Sequence, residues 1–283
     1  MTGHDLESSR LVLVALGLVV GLLGGTFGVG GSFIAGPALF LLGMPFNAVV
    51  GTDLAHIAGK SLAAARHHHA RGHVDRRLAA LLVPTTVGGV ELGARVLEHM
   101  RRSGESALLA TLYALLLAAL GVFVLVESWR ARKRPDRPVA RLDVWLGPDM
   151  HFPVSRVRGS ILAVCGIGLV SGFLGGIFGG GLGFLRMPAL VYLLGIPTRI
   201  AIGTDLLEVI VSSGYGALTH ALRGNVDFGV ALTMQAGGVL GSRFGARVTA
   251  HVRESTLRVA FAPLPLVGAV LVVYRLASGT AQP

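Results

Sequence analysis

The sequence contains one cysteine, Cys165, in 283 residues. That excludes an intramolecular disulfide and a metal cluster built on cysteine. Charge is also scarce. Only 14% of residues are charged, where soluble domains carry about 25%. No charged side chain occurs in 11–52 or in 106–126. Soluble composition is confined to one stretch, 129–158, which is too short for a nucleic-acid-binding module. The net charge of +10 therefore does not point to nucleic acid. Nucleotide-binding motifs are missing: no strand precedes the glycine clusters and no lysine follows them. Nor is there an HExxH motif or a nucleophile–base pair at membrane depth. Ser212 and Ser213 have His220 downstream, but it falls at a loop. The chain reads as a non-enzyme with no cofactor.

Apolar residues are abundant, at 52%, with a mean hydropathy of +0.68. A bilayer span needs roughly 20 of them in a row. The stretch 106–126 is one span, while 11–52 is too long and too glycine-rich for a single straight helix. These features predict an all-α, multi-pass protein of the cell (inner) membrane.

The chain also repeats itself. GGTFGVGGSFIAGP at 24–37 returns as GGIFGGGLGFLRMP at 175–188. An offset of 151 maps Gly21, Gly25, Phe27, Gly28, Gly30, Phe33 and Pro37 onto identical residues. After one inserted residue, an offset of 152 does the same for Gly51, Thr52, Asp53, Leu54, Gly72, Val74 and Asp75. Apolar composition alone would not match Gly-Thr-Asp-Leu or Gly-x-Val-Asp, so this is an internal duplication. The predicted layout is a tail at 1–10, a first transmembrane repeat at 11–128, a basic linker at 129–158, a second repeat at 159–276 and a tail at 277–283. Each repeat supplies four helices, about eight in all, and the first helix of each is broken at its glycine block.

Lys and Arg cluster at 66–77 and 130–158, the pattern of cytoplasmic loops. If each broken segment crosses once, the repeats are parallel and both termini are cytoplasmic. If each crosses twice, there are five crossings per half and the repeats are inverted. Four plus four is the expectation.

GGTFGVGGSFIAGPAL, GMP, AVVGTDL and GHVD, repeated as GGIFGGGLGFLRMPAL, GIP, AIGTDL and GNVD, resemble the TauE/SafE family of sulfite and sulfonate exporters. The likeness covers all but the N-terminal tail and the linker. It implies a permease formed by duplication of a four-helix unit and carrying small sulfur-containing anions. Asp53 and Asp205 depart from the Ser or Asn that many members place after Gly-Thr.

Broken helices at membrane depth expose backbone N–H groups, which favour an anion. Gly28, Gly30, Gly31, Ser32, Gly179, Gly181 and Gly183 are thus expected to line a substrate site, with Thr52, Thr204 and Arg186. The two blocks are expected to face each other across one shared cavity. Arg186 stands where the first repeat has Ala35. It can hold an oxyanion bidentately or pair with Asp205 or Glu208. Asp53, His56 and Lys60 share a helical face, as do Asp205 and Glu208. They are candidates for ion coupling, with helix capping as the alternative for the two aspartates. Gly89-xxx-Gly93 and Gly241-xxx-Gly245 read as packing motifs. His67, His68, His69 and His73 read as a solvated loop. The expected partners are a small anion and the lipid bilayer; an anion channel is the competing function.

Overall fold

The protein is described by a computed structural model covering residues 3–28, 31–133, 147–179 and 183–278. Gly30, Gly181 and the linker core at 134–146 lie outside the described residues, and so does the Ser32 side chain. The described chain is mostly helical. In order it runs α1 (Gly3–Phe27), α2 (Ser32–Leu41), α3 (Phe46–Ala70), α4 (Arg76–Arg102) and α5 (Ser106–Lys133). A two-stranded antiparallel hairpin follows, β1 (Asp149–Phe152) with β2 (Val157–Ser160). Then come α6 (Ile161–Phe178), α7 (Gly183–Pro188) with a π-helical turn (Ala189–Leu193), α8 (Thr198–Leu222), α9 (Phe228–His251), α10 (Glu254–Phe261) and α11 (Pro263–Ala277).

Among the described residues, five helices are long and apolar enough to cross a membrane, in α1, α4, α5, α6 and α10–α11. Helices α3, α8 and α9 have 25, 25 and 24 residues. Buried acids and bases and outward arginines make them less apolar.

Small residues set the helix contacts. A Cβ at Gly17, Gly21 or Gly25 would overlap the backbone of Met234, Gly238 or Ser242, so α1 lies directly on α9 and parallel to it. The same contact recurs between α6 and α4. There Gly172 and Gly176 meet the backbones of Thr86 and Val90, and Gly168 meets the Thr85 side chain and the Leu82 carbonyl. Gly89, Gly93, Gly241 and Gly245 face the partner helix in these two pairs, as their spacing predicts. Each pair joins one half of the chain to the other. Between them α3 and α8 run antiparallel: Gly51 meets His220 and Asn225, and Gly203 meets His73.

The broken segments turn back instead of crossing once. After α1 the chain reverses at Gly28 (φ 75°) and Gly31 (φ 78°), conformations that glycine adopts without strain. Gly31 then lies against Val20, well back along α1. The end of α2 closes a cavity with Val12 and Leu13, beside the start of α1. The second block behaves alike. It turns at Gly179 (φ 82°), and Leu194 returns to Gly159, beside the start of α6.

This corrects the expectation of a single crossing per broken segment. One face of the bundle gathers the starts of α1, α3 and α9 with the ends of α2 and α11; Arg275 of α11 lies over Phe40 of α2. The opposite face gathers the starts of α4 and α8 with the β-hairpin. The described ends of the chain and the basic connectors are therefore on different faces, not on one as expected. The C-terminal part of the basic linker forms the hairpin at 149–160, with Phe152 and Val157 buried.

Candidate functional site

The GTDL and G-x-V-D motifs build the joint between halves. Gly51 allows the Asn225 carbonyl to approach, and Gly203 allows that of His73. The adjacent hydroxyls complete the joint: Thr52 accepts the Asp227 N–H at 2.9 Å, and Thr204 accepts the Asp75 N–H at 3.0 Å. The carboxylates that cap helices are Asp75 and Asp227. Asp75 accepts the Arg77 and Leu78 N–H groups at the start of α4, and Asp227 accepts that of Val230 in α9. The other oxygen of Asp75 takes the Val154 and Ser155 N–H groups and the Ser155 hydroxyl, which ties the hairpin down.

Asp53 and Asp205 cap nothing. The N-caps of α3 and α8 are Pro45 and Pro197, and each aspartate lies seven residues inside its helix, fully buried. Each is the outermost member of a buried charged cluster.

In the first cluster, Asp53, His56 and Lys60 follow one face of α3 and are buried. Asp53 is the charge that acts on Lys60 and on the Tyr113 hydroxyl of α5. Tyr113 stacks on Phe178, at the tip of the α6–α7 turn, with ring centroids 5.5 Å apart. Gly238 of α9 leaves space for the His56 ring. The Gln235 amide, oriented so that both its ends are satisfied, donates to the His56 carbonyl (2.8 Å) and accepts from the Lys60 N–H (2.7 Å).

In the second cluster, the Arg186 guanidinium forms ion pairs with both Asp205 and Glu208 of α8. It also donates to the hydroxyls of Thr86 in α4 and Ser171 in α6, each at 3.4 Å. Arg186, Asp205 and Glu208 are wholly buried. Removing one partner of such a group costs about 3–5 kcal/mol, because an uncompensated charge remains. The pairing of Arg186 with both acids is one of the two roles open to it from sequence.

Among the described residues of the glycine blocks, Gly28 and Gly179 do not meet. Gly28 packs on Ile202, one turn before Asp205, and Gly179 packs on Val50, one turn before Asp53. Since Gly51 lies beside His220, Gly203 is 17 residues further along α8, about 25 Å away at 1.5 Å per residue. The shared cavity is thus corrected to two separate tips, each against the GTDL motif of the opposite half. Gly31 and Gly183 are buried behind those tips.

His67, His68 and His69 form the last turn of α3, not a loop. His68 is buried, with ring centroids 6.2 Å from His67 and 5.6 Å from His73.

Buried acids, an arginine and a lysine inside apolar helices mark a pathway protein. The comparisons with known proteins agree. The family described as sulfite exporter TauE/SafE matches residues 13–272. The chain belongs to that family. A Xylella fastidiosa protein named "Probable membrane transporter protein" is 28% identical over 271 residues, covering 94% of this chain and 96% of its own. The Bacillus subtilis "Probable membrane transporter protein YunE" is 25% identical over 257 residues, covering 88% and 92%. No solved structure matches. Within a TauE/SafE protein, the Arg186 triad and the Asp53–His56–Lys60 cluster are the buried charged groups beside which Gly28 and Gly179 pack.

Proposed function

We propose that the chain is a secondary transporter for small anions, with sulfite- and sulfonate-type groups as the substrate class and Arg186 as the group that receives them. The observation that carries this reading is the Arg186 triad. A guanidinium binds two oxygens of a carboxylate, and a sulfur oxyanion offers the same pair. The anion replaces Asp205 or Glu208 on Arg186. The triad holds two carboxylates to one guanidinium, so a displaced acid must take up a proton or a cation, since an unpaired buried charge is strongly unfavourable. That exchange couples transport to an ion gradient. Asp53, His56 and Lys60 serve as the coupling group of the first half. The two re-entrant segments that carry Gly28, Gly31, Gly179 and Gly183 open and close access to the clusters.

In this reading the halves are inverted repeats. The face holding 71–75 and the β-hairpin is cytoplasmic by its arginine content.

Binding tests it. Purified protein is titrated with sulfite, thiosulfate, sulfoacetate and taurine while its thermal stability is followed. At least one anion stabilises the wild type, Arg186→Lys responds weakly, and Arg186→Gln does not respond. Equal stabilisation of Arg186→Gln, or none of the wild type by any of the four, overturns the reading.

A further inference from the structure

Away from both clusters, α3 and α9 leave a groove of about 440 Å³ between them, towards the face that holds the β-hairpin. Its polar lining is Arg66, His67, Arg243 and Arg247. Among the described residues no carboxylate forms an ion pair with any of the three arginines. The charged groups acting on His67 are Arg71, Arg247, His73 and His251, all of one sign. The His67 Nε2 is buried without a hydrogen-bond partner among the described residues.

The corresponding place in the other half shows what is unusual here. Adding 152 to Glu91 and Arg95 of α4 gives Arg243 and Arg247 of α9. Arg95 is neutralised by Glu91 at 2.8 Å, and Glu91 further accepts from Tyr215 (3.1 Å) and Arg223 (3.3 Å). Where the first half has a glutamate, the second half has a second arginine.

The groove opens outward through apolar surface. Leu62, Leu240, Phe244 and Val248 are exposed around it, with Phe244 55% accessible, and the Arg247 guanidinium lies 5.6 Å from the Phe244 ring centre. Arg247 and Arg243 stand four and eight residues before the end of α9 at His251, about 6 and 12 Å along the helix. At that depth arginines extend their heads to the level of lipid phosphates.

We propose that this groove binds the phosphate headgroup of an anionic phospholipid, whose acyl chains lie along Leu240 and Phe244. Basic pockets between transmembrane helices suit such headgroups. The site is independent of Arg186, and its test reads lipid retention, not transport.

The full-length protein is extracted from membranes and its bound lipids are compared by native mass spectrometry. It is then reconstituted in nanodiscs with phosphatidylglycerol or phosphatidylcholine, and its thermal stability is measured. Wild type retains phosphatidylglycerol over phosphatidylcholine. Arg243→Gln with Arg247→Gln weakens retention, by about fivefold for each arginine removed, while Arg95→Gln leaves it unchanged. Retention that survives the double substitution, or falls equally in Arg95→Gln, overturns the site. A second arm adds inorganic sulfate and phosphate to phosphatidylcholine nanodiscs. If these stabilise wild type through Arg243 and Arg247 while phosphatidylglycerol does not, the ligand is a free oxyanion and the lipid assignment is wrong.

Discussion

In each Gly-Thr-Asp tripeptide three neighbouring residues meet three different surroundings. Glycine admits a carbonyl from the other half, threonine accepts an N–H from the same loop, and aspartate turns into a buried charged cluster. Thr204→Val leaves the Asp75 N–H buried and unpaired, which costs about 1–3 kcal/mol. The variant should unfold several degrees below wild type in detergent, and Thr204→Ser should recover most of the loss; equal stability of Thr204→Val and wild type counts against the joint. The aspartates were legible as costly groups at depth, yet sequence left capping open because it does not say where α3 and α8 begin. The threonines read as ligands for a related reason. Their hydroxyl partners lie 175 and 129 residues away in the chain, and no local pattern announces them. For Arg186, by contrast, both roles were visible: the arginine and its two acids all sit in apolar stretches where a lone charge is untenable.

At the scale of elements, glycine positions decide which helices can touch. In α6, Gly168 and Gly172 lie against α4, whereas Gly166 has open space around it. Gly172→Leu must separate two backbones, a change costing at least about 1–3 kcal/mol for overpacking, and should remove folded protein from size-exclusion profiles. Gly166→Leu, on the same helix, should behave as wild type; matching losses in both would mean that helix propensity, not packing, is being measured. The interrupted helices could be read from 24–31 and 175–182, but their direction could not. Composition carries no sign, and the reversal depends on positive φ at Gly28, Gly31 and Gly179. The hairpin at 149–160 escaped notice because its two four-residue strands sit in a stretch of soluble composition.

For the whole molecule, the reversal of each broken segment places the two halves head to tail. Asp53 lies about 10 Å in from one face and Asp205 about 10 Å in from the other, each seven residues into its helix. The charges differ: one acid and one lysine in the first cluster, two acids and one arginine in the second. In the proposed exchange, an anion admitted at Arg186 would complete the second cluster only when one of its acids is neutralised, so anion and coupling ion would move together. Gradient-driven uptake into proteoliposomes tests this account most directly, with radiolabelled sulfite and thiosulfate as probes. Wild type should show saturable uptake that requires an imposed ion gradient, Arg186→Gln should show none, and Glu208→Gln should lose the dependence on the gradient. Flux that rises without saturation, ignores the gradient and persists in Arg186→Gln would contradict it and leave a pore in place of a transporter.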